Sequence, residues 1–86
     1  VYNKFKKGGK MFDLYISETC PYCRKVIDFF EENNIKYNKK NVIEPENLNM
    51  LLKLGGKAQV PFLDDFEKNI SMYESDDIIQ YAMNRG

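Results

Sequence analysis

The chain alternates between short strand-like segments and segments with a helical period. Residues 11–16 form an apolar run with few polar positions, which is typical of a central strand. Residues 24–33 follow, and their apolar positions recur at helical spacing. Residues 36–43 predict a second strand, and its many polar positions favour a less buried place in the sheet.

The second half of the chain predicts a helix, two strands and a final helix. The Glu44-Pro45-Glu46 segment is a helix start signal, with proline near the first turn and acids at the positive end. Gly55 and Gly56 should end that helix. The remaining segments predict a strand at residues 60–64, a turn that begins at 64–65, a strand around 69–72 and a helix at 74–84. In the last helix we expect four residues to point inward: Ile78, Ile79, Ala82 and Met83.

The order β-α-β-α-β-β-α predicts an α/β fold with a four-stranded mixed sheet. The first β-α-β unit should be right-handed with parallel strands, and the last two strands should form a hairpin. Helices should then flank both faces of the sheet. Ligands of such sheets bind beyond the carboxyl ends of the strands, which is where residues 17–23 are expected to lie.

Composition is consistent with one globular domain, because 86 residues with 43% hydrophobic side chains can form a modest core. The four lysines of residues 1–10 give that segment a charge of +4. The remainder carries 9 Lys and Arg against 13 Asp and Glu. We therefore expect residues 1–10 to be a flexible basic extension and residues 11–86 to be the folded domain. Four lysines make too thin a patch to predict a nucleic-acid partner.

The sequence predicts a cytoplasmic protein that does not bind a membrane. No apolar stretch is long enough for a membrane span, and the first ten residues lack the apolar core of a signal peptide. In the cytoplasm a pair of cysteines spaced as Cys20 and Cys23 is more often catalytic or metal-binding than a structural disulfide. Zinc prefers four nitrogen or sulfur ligands, and the chain has no histidine and no other cysteine, so we expect no metal.

Cys20 lies where the first strand gives way to the first helix, so its sulfur should face unpaired backbone N–H groups. A free cysteine has a pKa near 8.5 and is only a few per cent thiolate at neutral pH. A helix terminus stabilises an anion by about 0.3–1 kcal/mol, and by about 2 in favourable geometry, so hydrogen bonds to sulfur must add to it. The Cys23 N–H and S–H are the nearest candidate donors, and Arg24 and Lys25 add positive charge nearby. We expect Cys20 to attack disulfides and the more buried Cys23 to resolve the intermediate.

Three segments together resemble the glutaredoxins, which have the thioredoxin fold. They are the Cys20-Pro-Tyr-Cys23 motif of dithiol glutaredoxins, the Gly-Gly-Lys-Ala-Gln-Val-Pro segment at 55–61, and the segment Met-Tyr-Glu-Ser-Asp-Asp-Ile-Ile at 72–79. The last of these also resembles the Glu-Ser turn in the N-terminal domain of glutathione transferases. The spacing fits over residues 11–84.

The resemblance implies a cis peptide bond before Pro61, facing Cys20. Val60 would then offer its N–H and C=O groups to the cysteinyl backbone of glutathione, as in strand addition. From the residues alone, Pro61 could equally be a strand-edge proline. The resemblance also assigns Glu74 and Ser75 to the γ-glutamyl carboxylate, bound by N–H groups at a helix start. By sequence alone Ser75 is a helix cap, and both interpretations use the same N–H groups.

Further contacts with glutathione are implied for Tyr22 and Gln59, and two positions depart from the family pattern. Ser17 stands where glutaredoxins commonly have a lysine, three residues before the first cysteine. Gln59 stands where threonine is common. Lys57 is the candidate substitute for binding the glycyl carboxylate.

The expected function is that of a monomeric dithiol glutaredoxin. It would reduce protein disulfides and glutathionylated proteins, with glutathione as co-substrate and no tightly bound cofactor. Two alternatives remain: a thioredoxin-like reductant served by a flavin reductase, and a carrier of an iron–sulfur cluster or metal. Four tyrosines are predicted to pack rather than to act: Tyr15, Tyr37, Tyr73 and Tyr81.

Overall fold

The computed structural model describes residues 12–85. Its elements, in chain order, are β1 (Phe12–Ile16), α1 (Pro21–Glu32), β2 (Tyr37–Asn41), α2 (Pro45–Gly55), β3 (Phe62–Asp65), β4 (Ile70–Met72) and α3 (Ser75–Arg85). This is the predicted order. The predicted basic extension over residues 1–10 lies outside the described residues, as do Met11 and Gly86.

The sheet is mixed, and its four strands lie in the order β2-β1-β3-β4. β1 is parallel to β2 and antiparallel to β3, and β3 is antiparallel to β4. The prediction of a parallel β-α-β unit followed by a hairpin is therefore confirmed. The polar strand β2 lies at an edge, as its sequence predicted. No helix of residues 12–85 combines the length and the apolar character that a membrane crossing requires.

The two faces of the sheet carry separate hydrophobic clusters. On one face Phe12, Leu14 and Ile16 of β1 pack against α1 and α3, and the side chains buried there include Val26, Phe30, Ile78 and Ala82. On the other face Tyr15 and Phe62 pack against Leu51 of α2. This split follows from the alternation of side chains along a strand. It leaves the β1–α1 connection at the carboxyl end of the central strand.

One expectation about the second half of the chain is wrong. Met83 does not point inward, since it is 58% exposed. It lies about 100° around the helix from Ala82, which takes the buried position. The predicted turn begins at Asp65, which is also the last residue of β3: its carbonyl accepts the Lys68 N–H at 3.2 Å, and its side chain is fully buried.

Burial of Asp65 depends on two local partners and on one from a distant part of the chain. Its Oδ1 atom accepts hydrogen bonds from the N–H groups of Glu67 and Lys68, at 3.2 and 3.3 Å. Its Oδ2 atom accepts a hydrogen bond from the Tyr81 hydroxyl at 2.5 Å. These contacts tie the β3–β4 turn to α3.

Replacing Tyr81 with Phe removes a hydrogen bond to this buried carboxyl group. The free energy of unfolding should fall by about 1.5–3 kcal/mol, the usual range for a hydrogen bond to a charged group. Tyr37→Phe is the matched control, because the Tyr37 hydroxyl donates to the exposed Glu31 carboxylate at 2.7 Å. Water can replace that bond, so its loss should cost under about 1 kcal/mol. Urea unfolding measures the loss of unfolding free energy in both variants, provided that their m-values are equal. Equal losses in the two variants would contradict the role given to Asp65.

Candidate active site

Cys20 is the N-cap residue of α1. Its backbone is extended, with φ −90° and ψ 116°, and its sulfur accepts a hydrogen bond from the Cys23 N–H at 3.3 Å. The Cys20 N–H itself donates to the Ser17 carbonyl at 3.3 Å. α1 begins directly afterwards at Pro21, whose missing N–H costs nothing at the first helical position. The hydrogen bond predicted between the two cysteines is therefore present, and the sulfur faces the positive end of the helix dipole.

Cys23 differs from Cys20 in burial and in acidity. Its side chain is fully buried, whereas Cys20 is partly exposed, and both thiols are free. Burial raises the pKa of Cys23 to about 12. A backbone hydrogen bond from Ser17 opposes this rise, while the hydrogen bond to Cys20 and the nearby Cys20 charge add to it. Cys23 is therefore a protonated, sheltered thiol at neutral pH.

The segment before β3 lies beside the Cys20 sulfur. The peptide bond between Val60 and Pro61 is cis, as the resemblance implied. The Cys20 Sγ atom is 3.9 Å from the Val60 carbonyl oxygen. β3 pairs with β1 only from Phe62 onward, so Val60 lies just outside the ladder of the sheet. Its main chain therefore forms a short edge next to the sulfur.

Tyr73 holds the loop that leads into this segment. Its hydroxyl donates to the Lys57 carbonyl at 2.9 Å and accepts from the Lys57 N–H at 3.1 Å. The Lys57 ammonium lies 4.7 Å from the centre of the Tyr73 ring, and that ring packs on Phe62 at 4.7 Å. A Cβ atom on Gly55 would overlap the Tyr73 hydroxyl, so the close approach requires glycine. Tyr73 packs on Phe62 as predicted, and its hydroxyl also holds the Lys57 backbone, which the sequence did not reveal. The position of Tyr73 directly before Glu74-Ser75 is the one sequence signal for this second contact.

The start of α3 lies next to the start of α1. Ser75 is the first residue of α3 and is buried, while Glu74 precedes it and is exposed. The Glu74 carbonyl accepts the Ile78 N–H at 2.9 Å, which places Glu74 at the N-cap. Lys25 of α1 forms an ion pair with Asp76 of α3 at 2.5 Å. The first turns of the two helices are thus adjacent.

The basic residues after Cys23 contribute less than expected to the charge around Cys20. Arg24 pairs with Asp28 at 3.8 Å, and Lys25 pairs with Asp76. Both pairs are exposed, so solvent screens them. Ser17 supplies no charge either, because its side chain is a neutral hydroxyl. That hydroxyl lies 3.3 Å from the Thr19 hydroxyl. Backbone groups are therefore the main polar partners of the Cys20 sulfur.

The remaining candidate residues are not joined to this cluster. Tyr22 is 64% exposed and Gln59 is half-buried. Neither side chain makes a hydrogen bond or ion pair with the other candidate residues in the described part of the chain. Residues 12–85 also contain no group of three or more His, Cys, Asp or Glu side chains placed to hold a metal ion.

Comparison with known proteins identifies the family. The sequence model of the glutathione S-transferase N-terminal domain matches residues 14–85. A search of curated proteins gave no match.

Solved structures share the fold over most of this chain. Glutathione transferase Omega 3C from Trametes versicolor is 26% identical, with a TM-score of 0.77 over 90% of this chain and 34% of its own. Glutaredoxin 2 from Salmonella typhimurium, in complex with glutathione, is 26% identical, with a TM-score of 0.74 over the same shares. Glutathione transferase URE2P6 from Phanerochaete chrysosporium, in complex with oxidized glutathione, is 27% identical, with a TM-score of 0.72 over 90% of this chain and 37% of its own.

The chain spans about a third of the length of these structures. Its mixed sheet and flanking helices are nevertheless those of the shared domain. The family match and the common fold together show that this chain has a thioredoxin-like fold and belongs to the glutathione S-transferase N-terminal domain family.

Proposed function

We propose that the chain is a glutathione-dependent thiol–disulfide oxidoreductase that acts through Cys20 and Cys23. The observation that carries the proposal is the position of the Cys20 sulfur, which caps α1 and lies 3.9 Å from the Val60 carbonyl. The family match supports a glutathione-related role, as do two similar structures that hold reduced or oxidized glutathione.

Glutathione would bind along the edge formed by Val60. The backbone N–H and C=O groups of Val60 would pair with the cysteinyl residue of the tripeptide, which brings the glutathione sulfur to Cys20. The N–H groups at the start of α3, from Glu74 and Ser75, would bind the γ-glutamyl carboxylate. Lys57 would bind the glycyl carboxylate.

The sides of the bound tripeptide would be bordered by Tyr22 and Gln59. Tyr22 is exposed next to Cys20 and can cover the ligand with its ring. Gln59 directly precedes Val60. These two contacts are the outer part of the proposed site, whereas Val60 and the start of α3 fix the orientation of glutathione.

The reaction would begin with attack of the Cys20 thiolate on a disulfide. A new bond forms between Cys20 and one sulfur of the disulfide, and the other sulfur leaves as a thiolate that takes a proton from water. With a protein disulfide, Cys23 then attacks the Cys20 sulfur, the second protein thiolate leaves, and Cys20 and Cys23 become a disulfide. Two glutathione molecules reduce this disulfide and become oxidized glutathione.

The order of these steps follows from the coupling between the two cysteines. The charge of Cys20 and its hydrogen bond both help to raise the pKa of Cys23. When Cys20 enters a mixed disulfide it loses its charge, and that part of the rise disappears. Cys23 would therefore become a better nucleophile only after the first step.

Serine variants of the two cysteines test these roles. Cys20→Ser should lose essentially all activity on a glutathione mixed disulfide and on a protein disulfide, because it removes the attacking sulfur. Cys23→Ser should keep activity on the mixed disulfide, which glutathione alone can resolve, and lose activity on the protein disulfide. Initial rates with glutathione as donor measure both. Full activity of Cys20→Ser together with loss in Cys23→Ser would overturn the assignment.

The same assay distinguishes the proposed glutathione-dependent function from the thioredoxin-like alternative. The wild-type protein should turn over with glutathione and not with a flavin-dependent disulfide reductase as the electron donor. Turnover with the reductase alone would instead support the alternative. Both donors are compared on one protein disulfide at one protein concentration.

Tyr73→Phe tests whether the Lys57 loop positions glutathione. The change removes both hydrogen bonds to the Lys57 backbone and keeps the ring that packs on Phe62. KM for glutathione should rise by about fivefold to tenfold while kcat stays nearly constant, because the lost contact affects binding and not the sulfur chemistry. Tyr37→Phe again serves as the control, with unchanged KM. A fall in stability without a rise in KM would show that Tyr73 has a structural role only.

A further inference from the structure

We propose that a cleft on the α2 side of the sheet binds a primary alkylammonium group. This α2 cleft has a volume of about 390 Å³, and its relevant lining residues are Asp13, Tyr15, Glu46, Met50, Leu54 and Asp64. The volume is within the range of small-molecule sites. The inference concerns a second site and does not depend on the cysteines.

Two carboxylates face each other in the α2 cleft. Asp13 of β1 and Asp64 of β3 are register partners on neighbouring antiparallel strands, so their side chains share one face. Like charges in this arrangement destabilise a sheet. Asp13 accepts a hydrogen bond from the Asn38 side chain at 2.9 Å. The Asp64 side chain makes no hydrogen bond or ion pair with any of residues 12–85. Burial raises the pKa of Asp64, and the charges of Asp13 and Asp65 add to that rise.

The buried side chain of Tyr15 lines the same cleft. Tyr15 is only 2% exposed, and within residues 12–85 its hydroxyl makes no hydrogen bond. Buried polar groups are nearly always paired, so an unpaired one calls for an explanation. Burial raises the pKa of Tyr15 to about 12, with Asp13 and Asp64 contributing. The hydroxyl is therefore neutral at physiological pH and can accept a hydrogen bond from a cation between the two carboxylates.

An alkylammonium group matches these unmet groups. An ammonium has three donors, which can meet Asp13, Asp64 and the Tyr15 oxygen. Met50 and Leu54 are 43% and 41% exposed and offer an apolar wall to the methylene chain.

The charges around the cleft also favour a cation. Three carboxylates line it, and Glu46 of α2 could meet a second ammonium of a diamine. Lys40, the cation in the lining, forms no ion pair with them among the described residues. A divalent metal fits less well, because no three His, Cys, Asp or Glu side chains among residues 12–85, these carboxylates included, are placed to hold one ion. The ammonium could come from a free polyamine or from a lysine side chain of a partner protein.

The test is an NMR titration of the ¹⁵N-labelled full chain at constant ionic strength. The probes are 1,4-diaminobutane, for a free polyamine, and Nα-acetyl-lysine N-methylamide, for a lysine side chain. The amide signals of Asp13, Tyr15 and Asp64 should shift saturably with at least one probe. Saturation by the diamine alone supports the polyamine source, and equal binding of the lysine analogue supports the protein source.

Matched variants make the test specific. Asp64→Asn should lower the affinity for the tighter-binding probe by about tenfold or more. Asp77→Asn makes an equal charge change on the exposed surface of α3 and should change that affinity by less than about twofold. Tyr15→Phe should weaken binding without lowering the Tm of the free protein, since it removes an unpaired hydroxyl. Cys20→Ser should bind normally, which separates this proposal from the redox function.

Three results would overturn the proposal. The first is the absence of saturable shifts with either probe. The second is equal loss of affinity in Asp64→Asn and Asp77→Asn, which would show a general charge effect. The third is that magnesium chloride at the same ionic strength shifts the same amides equally, which would make the cleft an unselective acidic patch.

Discussion

The candidate active site of this domain depends on one contact, in which the sulfur of Cys20 caps helix α1. N-cap positions usually hold Ser, Thr, Asp or Asn, whose oxygen accepts an N–H group of the first turn. Here sulfur takes that place and accepts the Cys23 N–H at 3.3 Å. A thiolate is a stronger acceptor than a thiol and also interacts favourably with the helix dipole. The interaction that starts the helix is therefore the one that favours the reactive form of Cys20.

One turn of helix separates two thiols with opposite properties. Cys20 is partly exposed at the end of the sheet, while Cys23 is fully buried and has a pKa raised to about 12. Around them the chain places main-chain groups rather than charged side chains: the edge at Val60 and the starts of α1 and α3. Tyr73 adds a second layer by fixing the Lys57 backbone. A site built of backbone groups suits a peptide-like ligand, which offers the same groups in return.

Local signals predicted most of the fold and of the cysteine environment, apart from the orientation of Met83, and long-range contacts account for the features that they did not reveal. The order of strands and helices follows from periodicity, and the Cys20 cap follows from a cysteine placed directly before a helix. The cis bond at Pro61 came from the family resemblance, since the residues alone also allowed a strand-edge proline. Asp65 is buried because Tyr81 reaches it from α3, and the hydroxyl of Tyr73 acts through Lys57. The two residues of each pair are 16 positions apart in sequence, so a local sequence pattern cannot reveal their contact.

The proposed role of Cys20 as the attacking nucleophile requires its sulfur to be more reactive than an ordinary thiol at neutral pH. The most direct measurement is the rate of iodoacetamide alkylation at each cysteine of the folded, reduced protein, resolved by mass spectrometry over a series of pH values. Cys20 should react faster than free cysteine at neutral pH, by about an order of magnitude, and Cys23 should stay unmodified until the protein is unfolded. A Cys20 that reacts no faster than free cysteine, or a Cys23 that reacts first, would contradict the account.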